Sequence, residues 1–115
     1  SYTPFLPKGE DSTLADCVSA IEYVINIVGE DKVGIGTDWV QDQDIEFFNY
    51  LSSDKGNGKP TSTPHKKVPK MPLGLEKLGS FGNFIPVMEN AGWSENRIRK
   101  TLGENWVRFL GDVWR

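Results

Sequence analysis

The chain opens on SYTPFLPKGEDS, two prolines and a glycine ahead of acidic and polar residues, which predicts an extended lead-in with no element of its own. Periodicity begins just beyond it. Leu14, Val18, Ile21, Val24, Ile25 and Val28 recur three and four apart, which places them on one helical face. Thr13 with Asp16 three residues on is a capping-box pattern, and Gly29 stands where a terminal glycine ends a helix. After Glu30-Asp31-Lys32 comes Val33-Gly34-Ile35-Gly36-Thr37-Asp38-Trp39. A short apolar and glycine-rich run bounded by charges predicts a strand buried on both faces of a parallel sheet. Such a strand needs a hydrogen-bonded neighbour on each side, and both neighbours must come from elsewhere.

Residues 42–53, with Ile45, Phe48 and Leu51 or Ser52 at helical spacing, predict a short helix. Residues 55–72 hold five Lys, four Pro and two Gly without periodicity, a long surface excursion. The last third is helical again. Ser80 is placed to cap a helix through Ala91, with Phe81, Phe84, Ile85 and Met88 inward and Pro86 kinking it or dividing it into short pieces. Gly92 ends it. Ser94 opens a second helix with Ile98 and Leu102 as its apolar stripe, stopped by Gly103. A third, Glu104 to Trp114, carries Trp106, Val107, Phe109, Leu110, Val113 and Trp114 as a wide apolar face. The organisation is thus one partial domain over residues 1–115: helix, strand and helix over 1–54, the excursion over 55–72, and closing helices over 73–115.

Composition narrows the function classes. The chain has 115 residues, 13 basic against 16 acidic and a net charge of −3, which argues against nucleic-acid binding, whose footprint is a basic face. No apolar run has the length of a transmembrane helix, and no signal-peptide core stands near the N-terminus. Cys17 is the single cysteine, which excludes an intrachain disulfide, and His65 the single histidine. One of each is too few for a metal site of soft or imidazole ligands within this chain.

Candidate chemistry concentrates in GIGTDW. Polar groups at the carboxyl end of a parallel strand face the ligand crevice of an α/β domain, so the strand puts Asp38 at a site. The alternative is that Asp38 caps the next segment or ends the strand, since Asp is common at turns. Gly34 and Gly36 leave room for close approach of backbone or substrate. Of the four tryptophans, at 39, 93, 106 and 114, Trp39 has a place in a pocket wall and the others read as core. His65, between Pro64 and Lys66-Lys67, reads as solvated loop, and Cys17 as a half-buried helix residue with no histidine partner near in sequence.

The order of features resembles the C-terminal portion of the membrane dipeptidase (renal dipeptidase) family of zinc peptidases. The residues that carry the likeness are Gly34-Ile35-Gly36-Thr37-Asp38-Trp39, then Gly74-Leu75-Glu76, then Gly92-Trp93-Ser94-Glu95, and the Gly103-Glu104-Asn105-Trp106-Val107-Arg108 run. The resemblance implies a (β/α)8 barrel hydrolase that holds two zinc ions and cleaves dipeptides, of which this chain is the last strand and closing helices. The family's metal ligands correspond to positions upstream of residue 1. Asp38 matches the family acid that handles the protons of the bridging water and of the departing amine. Trp39 stands where much of the family has Phe, in the pocket wall, and Tyr2 lies near the region of a substrate-binding Tyr without a secure match. An eight-stranded barrel takes about 250 residues, so the expectation is a C-terminal segment, mostly helical and inactive when taken alone.

The competing expectation is a non-catalytic interaction or oligomerisation module derived from the same closing segment; a third is a small helical domain in which GIGTDW is coincidental. A barrel-wall helix and a buried-type strand without their neighbours expose apolar surface and strand edges. A homo-oligomer, or a mostly helical packing with residues 33–36 outside any barrel, is therefore expected.

Overall fold

The first helix, α1 (Leu14–Val28), begins where the sequence predicts. Thr13 donates to Asp16 Oδ2 from its backbone N–H at 2.8 Å and from its hydroxyl at 2.9 Å, and Lys8 Nζ stands 2.7 Å from Asp16 Oδ1. Gly29 closes the helix with φ +86° and an N–H donated to Ile25 O at 2.8 Å. The computed structural model describes residues 6–37, 43–54, 58–60, 63–64, 66–68 and 70–114.

Lys8 above all, then the two Thr13 donors, hold the Asp16 carboxyl at about 2, below the ordinary carboxylate range. A depressed pKa means that Asp16 contributes its full stabilisation above the unfolded value of ~3.9, and loses it as pH falls toward 2. Stability measured by circular dichroism between pH 5 and 2 is expected to fall less steeply in Asp16→Asn than in the unaltered chain. Parallel curves for the two would remove the capping carboxylate from the acid response.

Two compact units form, Ser1–Asp38 with Met71–Arg115, and Trp39–Lys70. The second unit contains α2 (Ile45–Ser52), with Asp44 Oδ1 accepting the Phe47 N–H at 2.9 Å as its N-cap. The first unit contains α1, α3 (Phe84–Asn90), α4 (Glu95–Arg99) and α5 (Asn105–Val113). Its core joins Leu14, Cys17, Val18 and Ile25 of α1 to Phe84 and Met88 of α3, with Leu6, Val33, Leu75, Trp93 and Ile98 around them.

Several expectations are corrected. The strand over 33–36 does not form: the described residues contain no strand, and residues 33–37 run without regular structure after a short 3₁₀ turn, Glu30–Lys32. Val33 keeps extended angles, φ −114° and ψ 128°, so the local preference is present and the partner strands are what is missing. Val24 and Val28 do not share the buried face of α1; they are exposed, with Tyr23 and Ile27 beside them. The buried positions form the narrower set 14, 17, 18 and 25, which is all that α3 and its neighbours cover.

Pro86 divides the segment and does not kink it. It falls in the first turn of α3, where its missing N–H has little to lose, and a 3₁₀ stretch, Leu78–Asn83, precedes it. Phe84 and Met88 are inward, whereas Ile85 is exposed. Gly92, at φ +81°, ends the helix through Gly92 N–H to Glu89 O at 2.9 Å and Trp93 N–H to Met88 O at 3.1 Å. Gly103 stops nothing: α4 passes through a π turn, Lys100–Glu104, straight into α5. Burial of Thr101 and Asn105 on either side of Gly103 outweighs its weak helix propensity. The wide apolar face of α5 is largely exposed too, Val107 at 73% and Trp114 at 77%, so of the described tryptophans only Trp93 is core.

Candidate functional site

The π turn has a geometric result. It carries one extra residue in the helical ladder and turns Asn105 toward the Glu30–Val33 stretch. Asn105 Nδ2 donates to Glu30 O at 2.7 Å and to Val33 O at 2.8 Å, so a single amide spans the 3₁₀ turn between them. Trp106 Nε1 donates to Ile35 O at 3.3 Å, and the indole lies flat against Gly34. A Cβ on Gly34 would sit 2.3 Å from Trp106 Nε1, so the close approach requires glycine. Arg108 Nη2 donates to Asp31 O. Lys100 Nζ reaches Glu30 Oε1 at 2.9 Å and Asp31 Oδ1 at 2.7 Å.

Together these contacts clamp residues 30–35 from one side. Every backbone carbonyl among Glu30, Asp31, Val33 and Ile35 accepts a side-chain donor from residues 105–108. The charges agree with that geometry: Lys100 lowers the Asp31 pKa by a hydrogen bond and by its charge, and Asp31, then Glu30, raise the Lys100 pKa. An open cleft of ≈ 570 Å³ adjoins the clamp, lined by Asp31, Gly34, Trp106, Arg108 and Phe109 among others. Its lining, among the described residues, mixes both charge signs with two aromatic rings.

The Gly-Leu-Glu motif is a second built feature. Gly74 takes φ +95°, and a Cβ there would lie 2.9 Å from Leu14 Cδ1. Leu75 is buried, and Glu76 turns back so that Oε1 accepts the Gly74 N–H at 2.9 Å, while Asn83 Nδ2 donates to Gly74 O at 2.9 Å. Backbone donors at Gly74, then Glu76, hold the Glu76 carboxyl below its ordinary value. This carboxylate ties a turn and is committed to it. In the Gly92-Trp93-Ser94-Glu95 motif, Gly92 ends α3, Ser94 Oγ accepts the Arg97 N–H at 3.3 Å, and the Arg97 guanidinium lies 4.4 Å above the Trp93 ring.

Of the site residues predicted from sequence, Asp38 and Trp39 lie outside the described residues, as do Tyr2 and His65. Cys17 is described, and it is fully buried in the core. Among the described residues, no group of three His, Cys, Asp or Glu converges to hold a metal ion. The close approach expected at Gly34 is made by Trp106, whereas the sequence pattern assigned no role to the Asn105 or Arg108 side chains. The available signal was Asn105 itself, since asparagine is disfavoured within a helix unless its side chain bonds something.

No protein-family profile matches the chain. It is similar to an uncharacterized protein in the pqqA 5′ region of Klebsiella pneumoniae, with 25% identity over 108 residues, 94% of this chain and 30% of that protein. It is also similar to the crystal structure of an amidohydrolase from Pseudomonas aeruginosa, with 48% identity and a TM-score of 0.87 over 98% of this chain and 34% of that one. The relationship is therefore amidohydrolase-like, and the chain spans about a third of the length of each of these proteins.

Proposed function

We propose that this chain is the C-terminal segment of a longer hydrolase of the membrane-dipeptidase kind, acting on the amide bond of dipeptides. The observation that carries the reading is the 48% identity and TM-score of 0.87 along nearly the whole chain to one third of an amidohydrolase. In that reading residues 33–37 are the last strand of a (β/α)8 barrel waiting for its neighbours. The exposed apolar faces of α1 and α5 support it, since Tyr23, Ile27, Val107 and Trp114 are the kind of surface that a larger fold covers.

Asp38 is the proton-transfer residue of this proposal. Amide hydrolysis needs a proton removed from the attacking water and one delivered to the departing amine, and one carboxylate placed between them serves both. Trp39 forms part of the pocket wall. The dinuclear zinc site of the resemblance does not fit the described residues, which bring no ligand set together. In this proposal the longer protein supplies the metal ligands.

The test is a dipeptidase assay of the longer protein, its Asp38→Asn variant, and the 115-residue chain alone with added zinc. Turnover by the longer protein, a loss of about 10² to 10⁴ in rate on Asp38→Asn, and none from the short chain are expected. Full activity in Asp38→Asn, or turnover by the short chain, would overturn the reading. A second reading is favoured by the same exposed apolar faces: a non-catalytic module that pairs with a second copy of itself. A compact monomer of the 115-residue chain at high concentration, measured by sedimentation, would overturn it; self-association is expected on both readings, and turnover by the longer protein in the dipeptidase assay separates them.

A further inference from the structure

We propose that Asn105, seconded by Trp106, is a positioning residue: by fixing residues 30–35 it sets where the chain delivers Asp38 to the reacting amide. The proposal rests on the reading of Asp38 just given. Asn105 is 6% exposed, and both hydrogens of its amide are used on main-chain carbonyls three residues apart, Glu30 O and Val33 O. Trp106 holds the next carbonyl but one, Ile35 O, and presses its ring on the only residue type that admits it, Gly34.

The geometry is more than a helix packed on a loop. An apolar contact tolerates sliding, because burial is non-directional. Three hydrogen bonds to the main-chain carbonyls of Glu30, Val33 and Ile35 do not, because each weakens steeply when its angle or length is lost. The helix is deformed to make them: without the π turn Asn105 would sit at a different angle, and an unbroken α-helical ladder would be kept instead. Buried polar contacts with such directionality specify position as well as stability. Asp38 follows Ile35 by three residues, so a shift of the held segment is carried toward it along a short length of chain. A displacement of about 1 Å at a reacting group costs on the order of 10²-fold in rate.

The experiment uses the longer protein with four variants: Asp38→Asn, Asn105→Ala, the double variant, and Trp106→Phe, which keeps a ring against Gly34 but removes the bond to Ile35 O. With a dipeptide substrate, Asn105→Ala is expected to lower kcat by about 10²-fold with KM within twofold. Trp106→Phe is expected to give a smaller loss of the same kind. In the Asp38→Asn background, Asn105→Ala is expected to cost nothing further, since a residue that acts only through Asp38 has nothing left to position. Hydrogen exchange at residues 33–36 is expected to speed up in both Asn105→Ala and Trp106→Phe.

Equal losses from Asn105→Ala with and without Asp38 would overturn the proposal and leave Asn105 as a structural residue. Unchanged kcat in Trp106→Phe together with unchanged exchange would overturn it as well, and that variant stays informative if Asn105→Ala does not fold. Full activity in Asp38→Asn alone would reject the proton-transfer reading itself, and the positioning role with it, so the two failures are distinguishable.

Discussion

Gly34→Ala is expected to expel the Trp106 indole from its seat and to lower stability by about 1–3 kcal/mol, the usual cost of an added methyl in a packed contact. The new Cβ would lie 2.3 Å from Trp106 Nε1, 2.7 Å from Cδ1 and 2.9 Å from Cε2, and no rotation of a methyl relieves that. Either the ring or the backbone must move. The backbone is held by Asn105 at Val33 O and by the burial of Val33, whereas Trp106 is 45% exposed and has solvent to move into. The ring therefore yields, losing its bond to Ile35 O and its contact with residue 34. The check is chemical unfolding followed by tryptophan emission, with the emission moving to longer wavelength in the folded state. Gly36→Ala is the control, because a Cβ there meets nothing within 4 Å. Equal effects from the two alanines would show that the Trp106 contact is not what makes position 34 special.

Phe84→Ala is expected to cost about 3–5 kcal/mol, the range for removing a buried aromatic ring. Phe84 is 0% exposed, stands edge-on to Phe81 with centroids 5.6 Å apart, and joins the α1 and α3 faces of the core. Against a typical total of 5–15 kcal/mol for a domain, that loss brings the chain close to the unfolding midpoint. The next residue supplies the contrast. Ile85 is 42% exposed, and Ile85→Ala is expected to stay within about 0.5 kcal/mol, as surface substitutions usually do. Urea midpoints of the two single variants measure the difference. Similar midpoints would mean that α3 packs through another face.

The contrast between Phe84 and Ile85 shows how far the sequence reaches. Both are apolar, both lie near the predicted inward stripe, and periodicity alone gives a helix its apolar arc to within about one residue. Which of two adjacent residues is covered depends on where α1 lies against α3, a long-range fact. The same holds at Val24 and Val28, which fit the period of α1 and are exposed all the same. Gly103 is the sharper case: a glycine reads as a stop, yet burial of Thr101 and Asn105 carries the helix through it. The candidate site divides similarly. The GIGTDW run stands out locally, and its glycines announce a close approach. That the approaching group is Trp106, seventy-two positions on from Gly34, has no local signature.

The sequence by itself determined the features whose energy is local. The Thr13–Asp16 cap, the stops at Gly29 and Gly92, and the Asp44 and Ser94 ends of their helices all depend on residues within a turn of one another. Tertiary structure alone decided the rest. The π turn, the Asn105 amide on two distant carbonyls, the seat of Trp106 on Gly34, and the failure of residues 33–36 to form a strand each depend on what arrives from far along the chain, or on what does not arrive at all. A helix cap is complete within its own four residues, but a strand is defined by its neighbours, and a clamp by what it holds.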